Sequence, residues 1–106
     1  MDSRKARFMI SISMKAGKVA AGEFAAEQAI RAGSAELVIV SEDASENTKK
    51  KFRDMAAYRS IPFMEFLPKS ELGALIGKGE RSSLVITDAN LAREIRSLLG
   101  PESEQI

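Results

Sequence analysis

Segments of helical and strand period alternate along the whole chain, and that alternation predicts an α/β sandwich around a small central sheet. Two further observations agree. Leu37-Val38-Ile39-Val40 is an unbroken apolar run of strand length, the pattern of a strand covered on both faces. Glycine or proline closes most segments, and no linker, internal repeat or low-complexity stretch divides the 106 residues. Residues 1–100 therefore read as one domain, followed by a polar tail over 101–106 that is expected to fray.

The elements follow in order. Residues 4–16 predict a helix with Phe8, Met9, Ile12 and Ala16 on one stripe, although Ile10-Ser11-Ile12-Ser13-Met14 also alternates as a strand would. Gly17 ends it. Lys18-Val19-Ala20-Ala21 predicts a short strand, and Gly22 opens a helix to Ala32 whose apolar stripe is Ala25/Ala26, Ala29 and Ile30. Gly33 stands where a left-handed residue closes a helix. The strand over 35–41 leads to Asp43 and Glu46, spaced like a capping box for a helix to about Arg59. Its inner stripe is Phe52, Met55, Ala56 and the stem of Arg59. Residues 62–67 predict a strand with proline at its first position. After Pro68, Ser70 is placed to cap a short helix carrying Leu72, Leu75 and Ile76. Residues 77–82 form a loop and 83–87 a strand. Asp88 caps a last helix that buries Leu91, Ile95, Leu98 and Leu99 and stops at Gly100-Pro101.

Composition narrows the function. The chain has no histidine and no cysteine, so the commonest general base, the thiolate nucleophile and the usual zinc ligands are absent. An enzyme would depend on Ser, Lys, Tyr or carboxylates, and no adjacent set of these forms a catalytic constellation. No apolar stretch approaches the roughly 20 residues of a membrane span, and 44% hydrophobic with 29% charged residues fits a soluble, cytoplasmic chain. The net charge of +1 is segregated into blocks of +4 over residues 1–22, −5 over 23–46, +4 over 47–60 and −2 thereafter. Such blocks can assemble into a basic face, although the Lys49–Arg53 run reads more simply as the solvated side of a helix.

Three places could carry chemistry. Gly77-Lys78-Gly79 with Arg81 is a glycine-rich basic loop, but it precedes a strand and lacks the spacing of a phosphate-binding P-loop. The helix start Gly22-Glu23-Phe24 offers free amides to a phosphate or a base edge. Phe24 reads either as a staple or core contact, the simpler choice, or as an exposed platform for a base. The acidic group Glu42, Asp43 and Glu46 follows a strand, and helix capping accounts for it.

Taken together, Ala16-Gly17-Lys18-Val19, Gly22-Glu23, the 35–40 strand running into Glu42-Asp43-Ala44-Ser45-Glu46-Asn47-Thr48-Lys49-Lys50-Lys51, and Glu71-Leu72-Gly73 with Ile76-Gly77-Lys78 resemble one family. It is the kink-turn RNA-binding ribosomal-protein family, in its bacterial YlxQ-like branch, and the resemblance spans about Ala6 to Gly100. It implies a three-layer α/β/α sandwich with a mixed central sheet of about four strands, and RNA binding rather than catalysis. It also implies structured, kink-turn-like RNA or the ribosome as partner, a monomer, and no cofactor, membrane or small-molecule substrate. The family's reading motif is a glycine at the start of the second helix, then an Asn-Glu pair, then a lysine one turn on. Gly22 matches the glycine, whereas the later positions fall on Phe24, Ala25 and Gln28. Each bidentate base contact so lost is worth about 1–3 kcal/mol of discrimination. The resemblance assigns RNA contact to Lys18, Gly22, Glu23, Phe24, Gln28, Lys78 and Arg81, with phosphate contacts prominent. A second reading is a protein-interaction module of the same fold, because Phe24-Ala25 makes the site more apolar. A nucleotide enzyme using the 77–81 loop is a distant third.

Overall fold

The computed structural model describes residues 2–100 together with the strand Glu104–Gln105. Along the chain run α1 (Ser3–Lys15), β1 (Val19–Ala21), α2 (Glu23–Arg31), β2 (Leu37–Val40), α3 (Glu46–Tyr58), β3 (Phe63–Glu65), α4 (Lys69–Leu75), β4 (Ser83–Ile86), α5 (Ala89–Leu99) and β5 (Glu104–Gln105). The sheet order is β1-β4-β2-β3-β5. β2 and β3 pair in parallel, and every other neighbouring pair is antiparallel.

β2 and β4 occupy the centre, and every residue of both is buried. Their alternate side chains feed two cores. Leu37, Ile39, Leu84 and Ile86 pack against Ala6 and Ile10 of α1, Leu72 of α4 and Ile95 and Leu99 of α5. Val38, Val40 and Val85 pack against Ala26, Ala29 and Ile30 of α2 and Phe52 and Ala56 of α3. This is a three-layer α/β/α sandwich, and the apolar run at 37–40 has both faces covered as its composition demands. Each fully buried aliphatic side chain of this kind contributes about 1.5–3 kcal/mol.

Four local expectations are corrected. The first helix turns Ala6, Ile10 and Ser13 fully inward; of the expected stripe Met9 is partly buried against the same core and Ile12 half-buried, while Phe8 and Ala16 are exposed. Small residues on that face let α1 lie close to its neighbours. The Ser13 hydroxyl is tolerated there because it donates to the Met9 carbonyl at 2.7 Å. Phe8 is left 62% exposed.

Asp43 does not cap α3; Ser45 does, its hydroxyl accepting from the Thr48 amide at 3.1 Å. Asp43 accepts instead from the Lys69 amide at 2.9 Å. Ser70 is not the cap of α4, which begins after Pro68 with no side-chain cap. Ser70 lies inside the first turn, one residue past the Lys69 amide that Asp43 accepts from. Finally, the 101–106 tail contributes β5, pairing Phe63 with Gln105 and Met64 with Glu104. An uncovered β3 would present a row of free backbone groups, and the added strand occupies part of it. Residues 101–103 and 106 lie outside the described residues.

The Asp43–Lys69 bond ties the loop after β2 to the start of α4, and it carries a pH signature. The Lys69 amide holds the Asp43 carboxyl below its ordinary value of 3.8, against a smaller opposing effect of desolvation. A depressed folded value contributes stability above the unfolded value and loses it as pH falls through the folded one. Asp43→Ala is therefore expected to lower the melting temperature at pH 7, with the gap to the parent shrinking as pH drops below about 4. Thermal melts from pH 7 to 2 check this; a gap constant across that range contradicts it.

Candidate nucleic-acid interface

Because β1 lies antiparallel against β4, the end of β1 and the start of β4 meet at one end of the sheet. There the Gly22 amide donates to the Ser83 carbonyl and the Ser41 amide to the Ser82 carbonyl, each at 2.9 Å. The start of α2, the loop over 77–82 and the end of β2 are thereby gathered together. The Ser83 hydroxyl is buried at this end without a hydrogen-bond partner among the described residues.

Gly22 is the N-cap of α2 with φ 93° and ψ 162°, a backbone conformation essentially reserved for glycine. Space is not the constraint, since a Cβ there would meet only the Arg81 side chain at 3.7 Å. No side chain caps the helix, and the amides of Glu23, Phe24 and Ala25 find no acceptor among the described residues. These amides and the helix dipole make the position receptive to negative charge.

Phe24 stands 77% exposed, off the buried Ala26, Ala29 and Ile30 stripe, which overturns its reading as a staple or core contact. Exposed Gln28 lies one turn further along the same face. Glu23 is engaged elsewhere: Lys51 of α3 donates to its carboxylate at 2.8 Å and also pairs with Glu27. Bonding to Glu23 and then to Glu27 raises the Lys51 ammonium above its ordinary value, and desolvation opposes this only in part. The pair of bridges fastens α2 to α3.

The loop reaches the start of α2 at Gly22. Arg81 is half-buried, its stem against Gly22 and its guanidinium donating to the carbonyls of Gly79 and Glu80 at 3.3 and 2.9 Å. Lys78 is exposed and has no carboxylate partner among the described residues. The loop backbone is seated on α4. The Lys78 amide donates to the Gly73 carbonyl at 3.0 Å and the Arg81 amide to the Lys69 carbonyl at 3.1 Å. Gly73 is the contact that sets this seat. A Cβ added to it would overlap the Gly79 carbonyl oxygen and sit 2.8 Å from its carbonyl carbon.

The structure thus sets Arg81 beside Gly22, at the start of the helix that exposes Phe24 and Gln28, with Glu23 turned to Lys51 and Lys78 on the adjoining loop. Lys18 is not among them. Its carbonyl accepts from Thr87 beyond the other end of β4, about 13 Å of extended chain from Gly22. Sequence reasoning missed the Lys51 clamp and the role of Gly73. Glu23 and Glu27 at i, i+4 hint at a common partner, but nothing in the sequence says which cation reaches them. Glu42, Asp43 and Glu46 form no metal-holding group, and none occurs among the described residues. A shallow cleft of about 430 Å³ lined by Arg31, Asp54, Met55, Tyr58 and Arg59 lies at the opposite ends of α2 and α3.

Residues 4–95 match the ribosomal protein L7Ae/L30e/S12e/Gadd45 family. An RNA-binding protein YlxQ from Enterococcus faecium is 38% identical over 98 residues, covering 92% of this chain and 94% of that protein. An RNA-binding protein YlxQ from Bacillus subtilis is 36% identical over 91 residues, covering 86% and 91% respectively. A solved structure of a protein with unknown function from Bacillus halodurans has a TM-score of 0.86 and 32% identity. It covers 90% of this chain and 96% of that one.

Two outcomes follow from the geometry. Gly73→Ala is expected to cost about 1–3 kcal/mol of stability, the usual cost of forcing atoms into a packed site, and to shift the amide resonances of 77–82. Gly79→Ala, whose Cβ meets only an Arg81 nitrogen at 3.9 Å, is the near-neutral control. Denaturant titration and amide spectra distinguish them, and equal behaviour of the two variants contradicts the assignment. Separately, a raised folded value means that Lys51 contributes stability below its unfolded value near 10.5 and loses it as pH rises through the folded value. Lys51→Met is expected to melt lower than the parent at pH 7–9, the two converging at more alkaline pH. Melts across that range check it.

Proposed function

The chain belongs to the ribosomal protein L7Ae/L30e/S12e/Gadd45 family, and we propose that it binds structured, kink-turn-like RNA at the α2 end of its sheet, without enzymatic activity. The observation that carries this reading is the exposed Phe24 on an uncapped helix start beside Arg81. RNA offers both things that this arrangement accepts. A phosphate or a base edge reaches the free amides of α2 and the cations of Arg81 and Lys78. An unstacked base lies on the Phe24 ring, with the Gln28 amide on the same helix face to meet its edge. Glu23 serves to hold α2 on α3 through Lys51.

The relatives named as RNA-binding proteins support the RNA class. Association with the ribosome, action as a monomer and residence in the cytoplasm complete the proposal. With Phe24, Ala25 and Gln28 in place of the family's polar readers, stacking and phosphate contact carry the affinity, and sequence discrimination is modest.

Filter binding of kink-turn RNA against a single-stranded control, at two or more salt concentrations, tests the proposal. Preference for the kink-turn RNA at low salt is the expected result; equal or absent binding of both removes it. Phe24→Ala is expected to weaken binding by about 1–3 kcal/mol with the salt slope unchanged. Lys78→Ala is expected to reduce the slope by about one unit. Lys78→Ala without effect on the slope removes the loop from the contact surface.

A further inference from the structure

The fold pairs four of the five cations in one basic block of the sequence, all but Arg59, and leaves most of the other open. In α3, Lys49 and Arg53 meet Glu65, Lys50 meets Asp54, and Lys51 meets Glu23 and Glu27. In α1, among the described residues, only Arg7 finds a carboxylate, Glu71 at 3.0 Å. Arg4, Lys5, Lys15 and the following Lys18 are exposed and have none among the described residues.

The helix geometry sorts these cations. With Ala6, Ile10 and Ser13 turned inward, Arg4, Phe8 and Lys15 share the opposite face. Phe8, 62% exposed, lies one turn after Arg4 and two turns before Lys15. This face also borders the loop described above. The Ser11 hydroxyl donates to the Leu75 carbonyl at 2.7 Å, at the end of α4 just before Lys78, and the Arg7–Glu71 bridge joins the same two helices.

We infer that the outer face of α1 is a second RNA contact, which receives a strand running on from the α2 end of the sheet. Arg4 and Lys15 hold phosphates, Phe8 stacks one base between them, and Lys18 continues the cationic track. Arg4 and Lys15 are about 16 Å apart along the helix axis, so a short run of single strand bridges them. An acidic protein would satisfy the cations but would need a separate apolar pocket for Phe8. A nucleotide strand supplies charge and a π-face together. The inference rests on the RNA-binding reading, and it accounts for Lys18, which the α2 site does not reach.

Salt-dependent filter binding is measured on a kink-turn RNA with blunt stems and on the same RNA with single-stranded extensions at its 5′ or 3′ end. The protein carries Arg4→Gln with Lys15→Gln, or Phe8→Ala. With an extended RNA, the double variant is expected to lower the salt slope by about 1.5 units. Phe8→Ala is expected to weaken binding about 5- to 100-fold at unchanged slope. Blunt RNA should bind all forms alike, and parental melting temperatures show that α1 remains packed. If the parent binds extended and blunt RNA but the α1 variants match it on both, the α1 contact is withdrawn and the α2 site stands. That result covers the case in which this face serves a protein. If the parent binds no structured RNA, both readings fall together.

Discussion

Everything in this molecule depends on two short strands that have no solvent side. β2 throughout and β4 after its first residue, Ser83, are apolar on both faces, and their backbone groups must be paired within the sheet or by its flanking segments. Leu-Val-Ile-Val and the Leu-Val-Ile of β4 meet that demand, and helices on both faces remove them from water. Once β4 lies between β1 and β2, the geometry of the ends follows. The residue after β1 must meet the residues that begin β4, so an uncapped helix start and a basic loop become neighbours.

Electrostatics refine what the packing begins. The acidic block over 23–46 and the basic block over 47–60 are close in sequence and are brought face to face by α2 and α3. Exposed pairs of this kind add little individually, about 0–1 kcal/mol. Their larger effect is to decide which charges remain available. Lys51 engages the Glu23 carboxylate at the start of α2 and the Glu27 carboxylate one turn on. Of the positive charge left over, part lies on α1, Lys18 and the 77–82 loop and part on Arg59 and Arg93, a division invisible in a total of +1.

Strands and helices with strong periodicity were legible from the residues alone, because burial on one or both faces leaves a mark on consecutive positions. Element starts were less so. Asp43, Ser45 and Ser70 are all competent caps, and only the fold shows that Asp43 spends its oxygen on Lys69 while Ser45 caps α3. The facing of α1 departs from its apolar pattern because Ala6 and Ser13 carry little hydrophobic weight, although close packing favours them. At the candidate site, Gly22, Phe24 and Arg81 could each be named in advance. That Phe24 is exposed, and that Lys18 sits at the other end of β1, depends on helix rotation and strand direction, which local pattern does not encode.

The Gly73–Gly79 approach has a consequence for how such a surface can change over time. The 77–82 loop is positioned by main chain resting on main chain, so its shape is specified by a residue outside it. Side chains within the loop are then free to vary in charge and size without moving the frame that presents them. A protein built this way can exchange one set of contact groups for another by drift in a few exposed positions. The position under constraint is Gly73, buried in α4 and outside the loop whose backbone it seats.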